Sequence, residues 1–67
     1  MSALVESVRD EDLRIGDMVV MWCGRGRIVE IEAYKGALRD VVFAIARVDT
    51  GRDFSLIRGG WTDRVKS

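Results

Sequence analysis

The residues of this chain that could do chemistry are few: a carboxylate pair at Glu30 and Glu32, nine arginines, one cysteine and no histidine. Glu30 and Glu32 stand two apart on an expected strand and so point to one face, where they could serve as general acid and base. Such a pair must flank a substrate pocket, and a chain of 67 residues has room for one only if several copies assemble around it. Glutamate's habit of exposure makes a solvated strand face the simpler reading. What is missing restricts the chemistry further, for the sequence contains no histidine, asparagine, glutamine or proline. Without an imidazole there is no base poised near neutral pH and no Cys–His or Ser–His pair, and one thiol cannot supply the three or four ligands zinc takes. No catalytic residue, cofactor or metal is expected, and the chain reads as non-enzymatic. Lacking asparagine and glutamine, it could read DNA bases only through arginine on guanine.

Charge is balanced at 11 basic against 11 acidic residues, but unevenly spread. Residues 1–12 hold Glu6, Asp10, Glu11 and Asp12 against Arg9, which leaves the remainder at net +3. Within Gly24-Arg25-Gly26-Arg27 the two glycines permit positive φ, and Arg25 and Arg27 would project from a turn tip where guanidinium and backbone N–H groups could meet phosphate. A dinucleotide fingerprint, however, needs a helix after the glycines, and the residues from Ile28 onward alternate like a strand. Turn geometry is therefore the expected role. A nonspecific nucleic-acid-binding barrel is the alternative to a protein partner, less favoured at zero net charge.

The elements that would position these residues emerge from apolar periodicity. Gly16-Asp17 reads as a turn. Met18 to Cys23 is apolar on both faces, with Val19 and Met21 on one side and Met18, Val20 and Trp22 on the other. If the first set fills the core, the second is an outer patch of the kind that marks a contact site, unless the N-terminal segment or a sister chain covers it. Arg27 to Tyr34 alternates as Val29, Ile31 and Ala33 against Ile28, Glu30, Glu32 and Tyr34. A loop spans Tyr34 to Asp40. Val41 to Val48 reads as a central strand with Phe43 and Ile45 facing one way and Val42, Ala44, Ala46 and Val48 the other. Asp49 to Arg52 is a hairpin turn, and Asp53 to Ile57 returns with Phe54 and Leu56 on one side. Gly59-Gly60 breaks the strand, Trp61 comes next, and Arg64-Val65 could make a short closing strand. Ahead of these, Leu4, Val5 and Val8 have a spacing compatible with a short helix or an ordered arm, and Asp10 to Leu13 reads as one capped turn. The expected architecture is all-β: a small five-stranded SH3-like (Tudor-like) barrel over residues 13–67, preceded by an N-terminal arm or helix over residues 1–12.

A domain of this length buries only about 60% of its unfolded surface, yet 48% of its residues are hydrophobic. Some apolar residues are therefore expected at an interface, and a homodimer or higher homo-oligomer would relieve the marginal core. Met18, Val20, Trp22, Arg25, Arg27 and Trp61 are the expected partner-binding residues. A lone cysteine forms no internal disulfide and fits the reducing cytoplasm. An acidic start without a basic, then apolar, run gives no expectation of a secretory leader, and no stretch is long and apolar enough to predict a membrane span.

Gly16-Asp17-Met18-Val19-Val20, followed by Gly24-Arg25-Gly26-Arg27-Ile28-Val29-Glu30-Ile31-Glu32, resembles the RNA-polymerase-interacting domain of CarD-like regulators and transcription-repair coupling factors. That family's pattern runs Gly-Asp-x-Val-Val, a proline-containing turn, His-Gly-x-Gly-Arg and an apolar strand ending in glutamate. Here Met21, Trp22 and Cys23 stand at the proline-containing turn, and the histidine is absent. The resemblance implies a Tudor-like barrel that pairs an exposed strand edge with a sheet of the polymerase and catalyses nothing. In size and barrel pattern the chain is also similar to the type II, plasmid-borne dihydrofolate reductases, whose active pore forms between subunits around a Val-Gln-Ile-Tyr strand. An obligate oligomer with an inter-subunit site is the alternative this implies, although the nearest stretch, Phe54-Ser55-Leu56-Ile57, lacks the glutamine.

Overall fold

The computed structural model describes residues 4–22, 24–38 and 40–66. The start of the expected arm at 1–3, Cys23 at the end of the first expected strand, Arg39 in the loop and Ser67 at the end of the domain lie outside the described residues. Among the described residues, six strands and one 3₁₀ turn run in order: β1 Val5–Arg9, the turn Asp10–Asp12, β2 Met18–Met21, β3 Gly24–Ala33, β4 Val42–Val48, β5 Asp53–Ile57 and β6 Trp61–Val65. They form one antiparallel sheet in the order β1-β6-β2-β3-β4-β5. The all-β expectation holds, but there are six strands rather than five, and with β1 and β5 as its edges the sheet does not close into a barrel.

The added strand is the segment read as an arm or helix. Too short for a stable helix, it satisfies its backbone by pairing with β6 from Val5↔Val65 to Arg9↔Trp61. Its side chains then alternate, with Val8 buried and Val5, Ser7 and Arg9 exposed. The acidic turn expected after it forms, with the Leu13 N–H donating to the Asp10 carbonyl at 3.3 Å, but the residue ahead of it, Arg9, makes no side-chain cap.

Gly24 to Arg27 is the second departure: these residues open β3 rather than forming the turn. Met21 already pairs with Gly24 and Met18 with Arg27, so all four residues belong to the ladder. The glycines still have local causes. Gly24 sits at φ +130°, a region side chains avoid, and a Cβ on Gly26 would come within 2.8 Å of the Val48 Cβ. After Arg27 the strand changes partner from β2 to β4, with a register shift between Ile28 and Glu30. Such a bulge inserts one residue and reverses the alternation. Ile28 is therefore buried at 1% exposure while Val29 faces solvent at 49%, opposite to the even alternation expected.

The remaining faces obey the sequence pattern. Val19, Ala44, Ala46, Val48 and Leu56 join Val8, Leu13 and Ile28 in one core, with Met21, Ile31, Phe43 and Phe54 packed against it. The Asp10 carboxylate ties the end of β5 to the start of β6. It accepts the Ile57 N–H at 2.8 Å and the Thr62 hydroxyl at 2.6 Å, while the Gly60 N–H donates to the Ile57 carbonyl at 2.9 Å.

Candidate interaction site

Gly16-Asp17 sets the entry to β2. Gly16 takes φ +101°, its N–H donates to the Ile28 carbonyl at 2.8 Å, and the Asp17 carboxylate accepts the Arg14 N–H at 2.9 Å. That turn holds Val19 inward and fully buried, so Met18 and Val20 face the opposite side, both half-buried. Trp22 comes next, in the turn, and is 95% exposed. The β2–β6 register pairs Val19 with Arg64 and Val20 with Asp63, which sets the end of β2 beside the start of β6, and Trp22 and Trp61 line the same cleft. Trp61 is 63% exposed, and the Arg9 guanidinium lies over its ring at 5.7 Å from the centroid.

Between these tryptophans and the start of β5 lies an open cleft of about 700 Å³, lined among others by Val20, Trp22, Asp53, Phe54, Trp61 and Asp63. Of the six residues expected to bind a partner, Val20, Trp22 and Trp61 therefore meet in one place. Met18, Arg25 and Arg27 line a second open cleft, of about 660 Å³, together with Asp17, Asp49 and Arg64. The two arginines differ in freedom. Arg25 is exposed, whereas Arg27 donates its Nη1 to the Gly16 carbonyl at 2.6 Å and is occupied in holding the turn. Arg64 is tied down more firmly, with Glu6 at 2.9 Å and Asp17 at 3.3 Å. Its hydrogen bond to the Glu6 carboxylate, then that to Asp17, raises its pKa above the ordinary guanidinium value. Acidic groups so interleaved make the second cleft a mixed surface rather than a basic one.

Neither member of the carboxylate pair lines either cleft. Glu30 and Glu32 are both exposed, and Glu30 pairs with Arg47 at 3.4 Å across the strands. Among the described residues, no three acidic or cysteine side chains cluster as metal ligands, and no helix is long and apolar enough to cross a membrane. Asp10 is a buried polar residue that sequence reasoning placed only as part of a capped turn. Its neighbour Glu11 accepts the Gly59 N–H at 3.1 Å, and that bond is the main cause of its lowered pKa. No protein-family model matches the chain, and neither a curated protein nor a solved structure matches it.

Proposed function

We propose that the protein is a non-enzymatic interaction module of the cytoplasm, built on the SH3-like, Tudor-like plan, that binds a protein partner through the face bearing Trp22 and Trp61. The observation that carries this reading is the exposure of Trp22, at 95%, beside a second exposed tryptophan on one cleft. Large apolar side chains are costly to leave in water, and tryptophan is the side chain most enriched among the residues that dominate protein interfaces. The strand order β6-β2-β3-β4-β5, in which the last strand returns beside the first of the five, supports the barrel plan. A partner from the transcription machinery, RNA polymerase foremost, is the finer proposal and rests on the resemblance over residues 16–32. Affinity capture from native extract with wild-type protein and Trp22→Ala tests it. Polymerase subunits retained by the first and lost by the second are the expected result. Capture abolished by nuclease would favour a nucleic-acid-binding barrel instead.

The free edge of β1 supports a second reading, self-association. The Lys66 N–H donates to the Leu4 carbonyl and the Asp10 N–H to the Gly60 carbonyl, so even-numbered residues of β1 face β6. By the alternation of antiparallel ladders, the backbone groups of Val5, Ser7 and Arg9 then point away from the sheet, where a second copy could extend it.

A further inference from the structure

We propose that the free edge of β5, at Asp53 and Ser55, pairs with the backbone of an extended peptide segment whose arginine side chain enters the adjoining cleft and lies against Trp22 and Trp61. This rests on the protein-interaction reading and specifies the partner's chemistry.

The phase of β5 is fixed at both ends. The Arg52 carbonyl accepts the Val48 N–H at 2.9 Å, and the Arg58 N–H donates to the Val41 carbonyl at 2.8 Å, so even-numbered residues face β4. Odd-numbered residues therefore present their backbone to the opposite edge. Ile57 is satisfied there, its N–H by Asp10 and its carbonyl by Gly60. Among the described residues, Asp53 and Ser55 have no strand beside them on that side, because β5 ends the sheet. A strand laid along this edge would extend the sheet past β5, a recognised way for extended peptides to bind.

Charge and aromatic content choose the side chain. The cleft lining carries two carboxylates, Asp53 and Asp63, against Arg52, with the Arg9 guanidinium over Trp61 at its margin, so acidic groups and indole faces stand side by side for an incoming guanidinium. Trp61 already accepts a guanidinium from Arg9 within the chain, and tryptophan is the strongest of the aromatic cation acceptors. Arginine suits the site better than lysine, since its planar head both stacks on a ring and forks onto a carboxylate.

Selection of a random dodecapeptide phage library on the intact chain tests the proposal. Enriched peptides are expected to share an arginine. Added to ¹⁵N-labelled protein, the best of them should shift the Asp53 and Ser55 amides and both tryptophan indoles. Arginine→glutamate in the peptide should weaken binding more than about tenfold, and Trp22→Ala about 30-fold, the scale of an interface anchor. Ser55→Pro removes an edge donor that no ladder uses and should abolish binding with the fold intact. No enrichment, enriched peptides without a basic residue, shifts at another surface, or shifts that track protein concentration without peptide would each overturn it. If that happens while native capture still depends on Trp22, the interaction reading stands with a folded partner surface. If native capture fails as well, both fall.

Discussion

Replacing Asp10 tests the claim that one carboxylate ties the end of β5 to β6, two strands that are not neighbours in the sheet. The side chain is 4% exposed and accepts two hydrogen bonds, from the Ile57 N–H at 2.8 Å and the Thr62 hydroxyl at 2.6 Å. Asp10→Ala orphans both donors, each of which costs about 1–3 kcal/mol when buried. Because the two sites are only part-buried, water recovers some of this, and the expected loss is about 2–4 kcal/mol. For a domain of this length total stability is on the order of 3–10 kcal/mol, so the substitution should remove a large share of it. Asp10→Asn keeps one carbonyl acceptor and should cost about half as much. Urea unfolding followed by far-UV circular dichroism reads the effect as a lower midpoint at unchanged slope. A double-mutant cycle with Thr62→Val should give a coupling above about 0.5 kcal/mol. Asp10→Ala within about 0.5 kcal/mol of wild type, the scatter of an ordinary surface change, would refute the reasoning.

Gly26→Ala should destabilise the chain by about 1–3 kcal/mol, because the new Cβ would sit 2.8 Å from that of Val48; an unchanged urea midpoint would show that the strands can part there. Glu11 has a lowered pKa, chiefly from the Gly59 N–H, so its stabilisation is present above the ordinary carboxylate range and is lost as pH falls through its folded value. Stability measured from neutral to acid pH should therefore decline less steeply in Glu11→Gln, and parallel profiles would remove Glu11 from the account. Light scattering across a concentration series should show mass rising above the 7.5 kDa monomer, with a melting temperature that rises with concentration. A fixed monomer would leave the β1 edge without a second copy.

Much of the sheet was legible because most strands obey simple alternation. Val19 and Met21 on β2, Ala44, Ala46 and Val48 on β4, and Phe54 and Leu56 on β5 turn inward as their spacing dictates. The failures have two physical sources. Over five residues, apolar spacing cannot separate helix from strand, so β1 became visible only once β6 supplied its partner. A bulge leaves no mark on hydrophobicity, so Ile28 and Val29 could exchange faces with no sign in an apolar run. Gly24 and Gly26 misled for a related reason: glycine signals either a turn or a close approach of backbones, and only the contact with Val48 distinguishes them at position 26.

The candidate site divides along the same line. Trp22 and Trp61 could be singled out as exposed aromatics, but their convergence depends on the β2–β6 register, which joins segments 39 positions apart in the chain. Arg27 could be named as a turn arginine, yet its engagement with the Gly16 carbonyl arises only from the pairing of Met18 with Arg27. Asp10 is the sharpest case. Its acidity suits the start of a short helical turn, and nothing local reveals that it also caps the edge of β5, 47 residues away. The contact that buries Asp10 reaches β5 at Ile57, and further along the same edge Asp53 and Ser55 have no strand beside them, Asp53 lining the cleft that holds the two tryptophans. Stability and recognition thus share one seam: the end latched by Asp10 holds the domain together, and the unlatched end is where a partner strand can enter.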